Sequence, residues 1–196
     1  MIGLGCVTPH IIPELVAVPL SKPVVNVSVY ISSEFTELEW VNIIAGIRLW
    51  ETATHGLLTW QLKHYDESIK PVSSFGLKNG VIERSVLFKR VLSHEGWVKN
   101  WDRENHNTLL GLRESKSSSD VAVLWLVEDR LKTDTSEMII AAHEFGHALG
   151  IDHVQDISSV MSEFYAGFVT GITSHDLTAF LKRYDCDYRL VNVSSR

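Results

Sequence analysis

His143-Glu144-Phe145-Gly146-His147-Ala148-Leu149-Gly150-Ile151-Asp152-His153 is the stretch on which the reading of this 196-residue chain turns. Two histidines four apart on a helix point the same way, because four residues make just over one turn. Both imidazoles can therefore reach one metal ion. Glu144, one step round from His143, borders the same site and can hold a water there. Gly150 suits a position where the chain leaves the helix with φ > 0, and that turn can return His153 as a third nitrogen ligand. Three neutral imidazoles with a fourth position left to water is the layout of a catalytic zinc site rather than a closed structural one.

HExxH alone is short enough to arise by chance, as two surface histidines on an amphipathic helix. The full HExxHxxGxxH fixes five positions at set spacings, and Met161 follows in Ser158-Ser159-Val160-Met161-Ser162, where the longer signature calls for a Met-turn. The stretch resembles the metzincin metallopeptidases, and His-Glu-Phe-Gly-His-Ala-Leu-Gly-Ile-Asp-His is most similar to their matrixin branch.

Composition agrees with an ordinary globular domain: 45% hydrophobic and 21% charged residues are enough for a full core. A formal net charge of −6 gives no electrostatic footprint for nucleic acid and little attraction to anionic membranes. No apolar run reaches membrane-spanning length. Ile11 to Leu20 is broken by Pro13, Glu14 and Pro19 with no basic region before it, so neither a signal peptide nor a membrane segment is expected. The compartment stays open, with export by another route allowed. Cys6 and Cys186 read as two thiols, since a fold of this size needs no staple.

Six glycines and prolines punctuate residues 1–23, which read as an irregular arm or a short pro-like segment ahead of a catalytic domain over 24–196. Val24 to Ile31 is β-branched and alternating, hence a strand. Thr36 and Glu39 form a capping box for a helix with Trp40, Ile43, Ile44, Ile47 and Trp50 at helical spacing. Leu57 to Tyr65 and Ser85 to Leu92 read as strands, with a loop from Lys70 to Gly80 between them. Ser93 to Asn107 reads as a polar loop and Thr108 to Glu114 as a short strand. Val121 to Val127 is a continuous apolar run, as in a strand buried on both faces. Asp134 with Glu137 can cap the motif helix, and Thr173 to Tyr184 reads as a last helix.

This order is also that of the matrixin catalytic domain. The resemblance therefore implies an α+β, zincin-like fold from about Val24 to Tyr184. In it a twisted five-stranded mixed sheet, antiparallel only at its edge strand, lies over the active-site helix, with a C-terminal helix after the Met-turn. Met161-Ser162-Glu163-Phe164-Tyr165 is similar to the family's Met-x-Pro-x-Tyr, and Asp176-Leu177 with Phe180 and Tyr184 to its last helix. Val154 stands where the family has serine, and Glu163 replaces the proline of the specificity-pocket wall. No structural zinc or calcium ligands can be placed, and the prodomain cysteine-switch motif is missing.

By that resemblance the chain is a monomeric zinc endopeptidase acting on polypeptides, with one Zn2+ on His143, His147 and His153, Glu144 as general base and Met161 beneath the metal. Glu163 and Tyr165 would shape the specificity pocket. An extended peptide would add along Thr108 to Glu114, beside Leu110 and Leu112. His94, Asp102 and His106 share one loop and could hold a second metal, although loop histidines are more often only solvated. Two other readings compete: a non-catalytic binding or virion-type structural protein on the same scaffold, and a zinc peptidase whose third ligand is a distant glutamate. An intact Glu144 speaks against the first, and His153 at its set spacing against the second.

Overall fold

The computed structural model describes residues 15–19, 24–65, 76–78, 80–105, 108–114, 121–164, 167–186 and 188–192. The strands are β1 (Leu15–Pro19), β2 (Val25–Ile31), β3 (Leu58–Lys63), β4 (Gly76–Lys78), β5 (Val81–Val91), β6 (Gly111–Glu114), β7 (Ala122–Val127) and β8 (Tyr188–Asn192). The helices are α1 (Glu37–Ala53), α2 (Gly96–Asn105), α3 (Asp134–Ala148) and α4 (Ser174–Arg183), with a 3-10 turn at Glu128–Arg130 before α3.

The main sheet runs β3-β2-β5-β7-β6, with β4 paired to the start of β5. Every neighbour on that path is parallel except β6 on β7. The chain thus has the expected α+β fold, a five-stranded mixed sheet with four helices. The antiparallel strand, β6, lies at the edge that borders α3, so its outer hydrogen-bonding groups face away from β7.

α1 and α3 pack together against one face of the sheet. The two helices close on Gly46, where an added Cβ would sit 2.5 Å from Met138 O and 2.9 Å from Ala142 N. Ile43, Ile47 and Trp50 are wholly buried there, and Trp50 Nε1 donates to Ala142 O at 2.8 Å. Truncating a side chain as large and enclosed as Trp50 costs about 3–5 kcal/mol, so this seam fixes α3 against the sheet. Below it Asn42 Nδ2 donates to Glu137 Oε2 at 2.9 Å. On the opposite face α2 covers a smaller cluster of Val91, Val98, Leu109 and Val127, with Trp101, Leu112 and Trp125 against it.

Several expectations need correction. Ser93 to Asn107 is not a loop throughout: α2 occupies Gly96–Asn105, burying Val98 and packing Trp97 and Trp101 beside Trp125. Lys70 to Gly80 contains β4, three residues long, and β5 begins at Val81 rather than Ser85. The arm is not wholly irregular, because Leu15–Pro19 pairs antiparallel with Tyr188–Asn192. The cap of α3 is Thr133 with Ser136 and not Asp134 with Glu137, since Glu137 turns inward to Asn42 and leaves the capping geometry to its neighbours. The Thr36–Glu39 box on α1 is present as expected. Cys6, His10 and His106 lie outside the described residues. No helix among the described residues is long and apolar enough to cross a membrane.

Candidate metal centre

α3 carries His143 and His147 on one face and ends in a Schellman motif. Gly150 N–H donates to His147 O at 2.9 Å and Ile151 N–H to Gly146 O at 3.1 Å. Gly150 adopts φ +83°, which an L side chain tolerates poorly. The chain then doubles back, and Val154 N–H donates to Met161 O at 2.9 Å beside a parallel bridge from Val154 to Ser162. This return places His153 opposite α3. The three side chains each offer one donor nitrogen, and these lie within 4.8 Å of one another. His147 Nε2 and His153 Nε2 are 3.1 Å apart, near the roughly 3.3 Å that separates nitrogens tetrahedrally bound to one zinc at 2.0–2.1 Å.

The proton positions follow from the second contacts of the rings. His143 Nδ1 lies 2.7 Å from Val160 O and His147 Nδ1 lies 2.8 Å from Ile151 O. A carbonyl only accepts, so Nδ1 carries the proton on each ring and the bare Nε2 faces the shared point. Burial, with His147 second, pushes His143 down to about 4, and burial likewise lowers His147. Both rings are therefore neutral at pH 7, as metal ligation requires. This donor set fits a zinc ion.

Glu144 is 4% exposed and lies beneath β6. Gly111 of that strand passes so close that an added Cβ would be 2.5 Å from Glu144 Oε1 and 2.8 Å from its Cγ. Glu144 Oε2 is buried with no hydrogen-bond partner. Burial pushes this carboxyl up to about 8, with the charge of Arg113 opposing. An unpartnered buried carboxylate oxygen is costly, and it persists where a ligand or a proton transfer uses it.

Met161 is fully buried under α3. A Cβ on Gly146 would collide with its Sδ and approach Trp50 Cζ2 to 2.9 Å, so only glycine leaves room for that packing. The turn around Met161 hangs on Asp176, fully buried in the first turn of α4. Its carboxylate accepts from Val160 N–H and Met161 N–H at 3.1 Å each, from Thr173 N–H and Oγ1 at 2.8 Å each, and from Ser159 Oγ. Val160 thus bridges two partners: its N–H is held by Asp176 while its carbonyl aligns His143.

A cleft of about 560 Å³ runs over these groups, walled by Ile139, Ile140, Val160 and Val169. Glu163 and the largely exposed Phe164 stand on its rim. Leu110 and Leu112 border it along β6; Leu110 packs on the main core and Leu112 on the cluster under α2. Tyr165 lies outside the described residues. Asp102 is taken up elsewhere. It pairs with Arg130 at 2.6 Å and accepts from Leu109 N–H at 2.9 Å, while Arg130 donates to Leu109 O at 2.8 Å. That clamp fixes the residue two positions before β6.

Sequence reasoning passed over Gly111, Gly146 and Arg113. A glycine inside a short strand signals a close backbone approach, and that signal could have singled out Gly111. Residues 99–184 match the family model described as Matrixin, a span from α2 through β6, β7, α3 and the Met161 turn to the end of α4. The match supports a matrixin-like metzincin catalytic domain and, at that level, a zinc metallopeptidase with a polypeptide substrate.

Proposed function

We propose that this chain, which carries a matrixin-like metzincin domain, is an endopeptidase whose single zinc is held by His143, His147 and His153, with Glu144 as general base. The observation that carries the reading is the buried, unpartnered Glu144 Oε2 in the same cleft as three converging imidazoles. A zinc ion bound there would supply Lewis acidity, lowering the pKa of a water to near ~7 and polarising the substrate carbonyl.

Burial by itself favours the protonated carboxyl, and the charge of a bound zinc ion would favour the carboxylate; in that form Glu144 accepts the proton of the attacking water and delivers it to the departing amine nitrogen. Its enclosure by Gly111 and the helix keeps the carboxylate in one place for both transfers. Val160 O and Ile151 O hold two ligand rings in the required tautomer. Met161 supports the site from below by packing alone. The outer edge of β6 offers main-chain donors and acceptors to an extended peptide, whose side chain beyond the scissile bond enters the apolar walls of the cleft. Glu163 borders that pocket.

The test compares wild type with Glu144→Ala for zinc content by elemental analysis and for cleavage of a peptide library. One zinc per chain in both, with turnover lower by several orders of magnitude in the variant, is expected. Comparable turnover in the two would remove Glu144 from the mechanism. An inactive wild type that binds zinc would favour a non-catalytic role.

A further inference from the structure

Two arginines from separate elements meet at the C-terminal end of α3, and a third in the cleft feels their charge. Arg84 of β5 donates from Nη1 to Ala148 O at 3.1 Å. Arg183, the last residue of α4, lies against Gly150, where an added Cβ would come within 2.8 Å of its Nε. Arg113 of β6 joins them from the cleft side: the like charges of Arg84 and Arg183, after burial, depress its pKa, while Asp152 and Glu144 oppose. Arg84 is engaged by the helix end, whose last carbonyls carry partial negative charge, and Arg183 packs against Gly150 just beyond it. Arg113 is exposed, it lines the cleft, and among the described residues no hydrogen bond or ion pair holds it. Of the two carboxylates that act on Arg113, Glu144 is buried and Asp152 is exposed.

Strand geometry fixes where this charge meets a substrate. Gly111 and Arg113 are two apart on β6 and share a face, and that face is the one turned to Glu144. Arg113 therefore lies about 6.6 Å along the strand from Gly111, the residue that covers Glu144. A peptide added to the edge of β6 sets a side chain directly beside each residue of the strand on the same face.

We propose that Arg113, backed by Arg84 and Arg183, forms a subsite for an acidic side chain of the polypeptide substrate, two to three residues from the scissile bond. Antiparallel addition, the tighter pairing, puts that residue on the N-terminal side of the cut. The proposal rests on the peptidase reading and adds a charge requirement to it.

Two measurements test it. In a cleavage library, wild type should favour Asp or Glu at one of those positions by about five- to tenfold in kcat/KM, a preference that shrinks at high salt. Arg113→Lys should keep part of it and Arg113→Glu should turn it toward Lys or Arg. Cleavage without acidic preference, or with a preference unchanged in Arg113→Glu, overturns the subsite and leaves the peptidase reading standing. Fluorescence anisotropy of an extended peptide carrying Asp at that position, against its Asn counterpart, reads the subsite without turnover. Tighter binding of the Asp peptide, lost in Arg113→Glu, supports it even should no peptide be cleaved. Equal affinities in wild type overturn it.

Discussion

Replacing Gly111 by alanine adds one methyl group at the most crowded point of the cleft. The new Cβ would stand 2.5 Å from Glu144 Oε1, 2.8 Å from Cγ and 2.9 Å from Cδ, about 1 Å inside ordinary van der Waals contact. Contact with Cγ means that rotating the carboxylate end cannot relieve the clash. Either β6 lifts or the Glu144 side chain moves by about 1 Å, and a displacement of that size at a reacting group can cost about 100-fold in rate. Overpacking also costs about 1–3 kcal/mol of stability. The histidines are untouched, so Gly111→Ala should retain one zinc and show kcat lowered by about 100-fold. Stopped-time assays at saturating peptide, with zinc quantified on the same sample, would read this. Turnover within about twofold of wild type, at full zinc occupancy, would refute the argument that β6 sets the position of Glu144.

Asp176→Ala should strand the buried donors of Val160 and Met161 and the half-buried ones of Thr173, with a loss of about 3–5 kcal/mol and a fall in Tm of roughly 10 °C; calorimetry checks it. Burial, with the like charges of Glu137 and Glu39, pushes Glu128 up to about 8. Folded protein then holds a proton that unfolded chain releases, so this residue's contribution falls as pH rises from about 4.5 to 8. Glu128→Gln should match wild type near pH 4 and exceed it by about 2 kcal/mol at pH 8, after discounting for solvent screening, in denaturant titrations at both pH values. Glu163→Pro should shift the library profile after the cut from polar or basic residues toward large apolar ones; identical apolar-favouring profiles would remove Glu163 from specificity.

The parts of the site that were legible in the sequence are those encoded locally. His143, His147, Gly150 and His153 speak through helical spacing and one positive-φ turn, both of which are properties of a dozen consecutive residues. Gly111 and Gly146 are required by partners 33 and 15 positions away, Glu144 and Met161, and no neighbour in the chain announces that. α2 escaped because it is short and set among polar residues, although Trp97, Val98 and Trp101 stand at helical spacing and were the signal that could have found it. β1 and β8 owe their existence to pairing between opposite ends of the chain. The cap of α3 went to Thr133 over Asp134 through a contest between adjacent cap-forming residues, settled by the engagement of Glu137 with α1.

Two of the ring-orienting acceptors, Val160 O and Ile151 O, belong to the main chain. No substitution at 151 or 160 can delete them, so the tautomers of His143 and His147 are shielded from point mutation at the very residues that set them. The vulnerability moves instead to whatever governs the path of the two turns. Gly150 directs one and Asp176 suspends the other, and neither touches an imidazole. Sequence drift around this centre should thus be broadly tolerated at contacting positions and punished at these two remote ones.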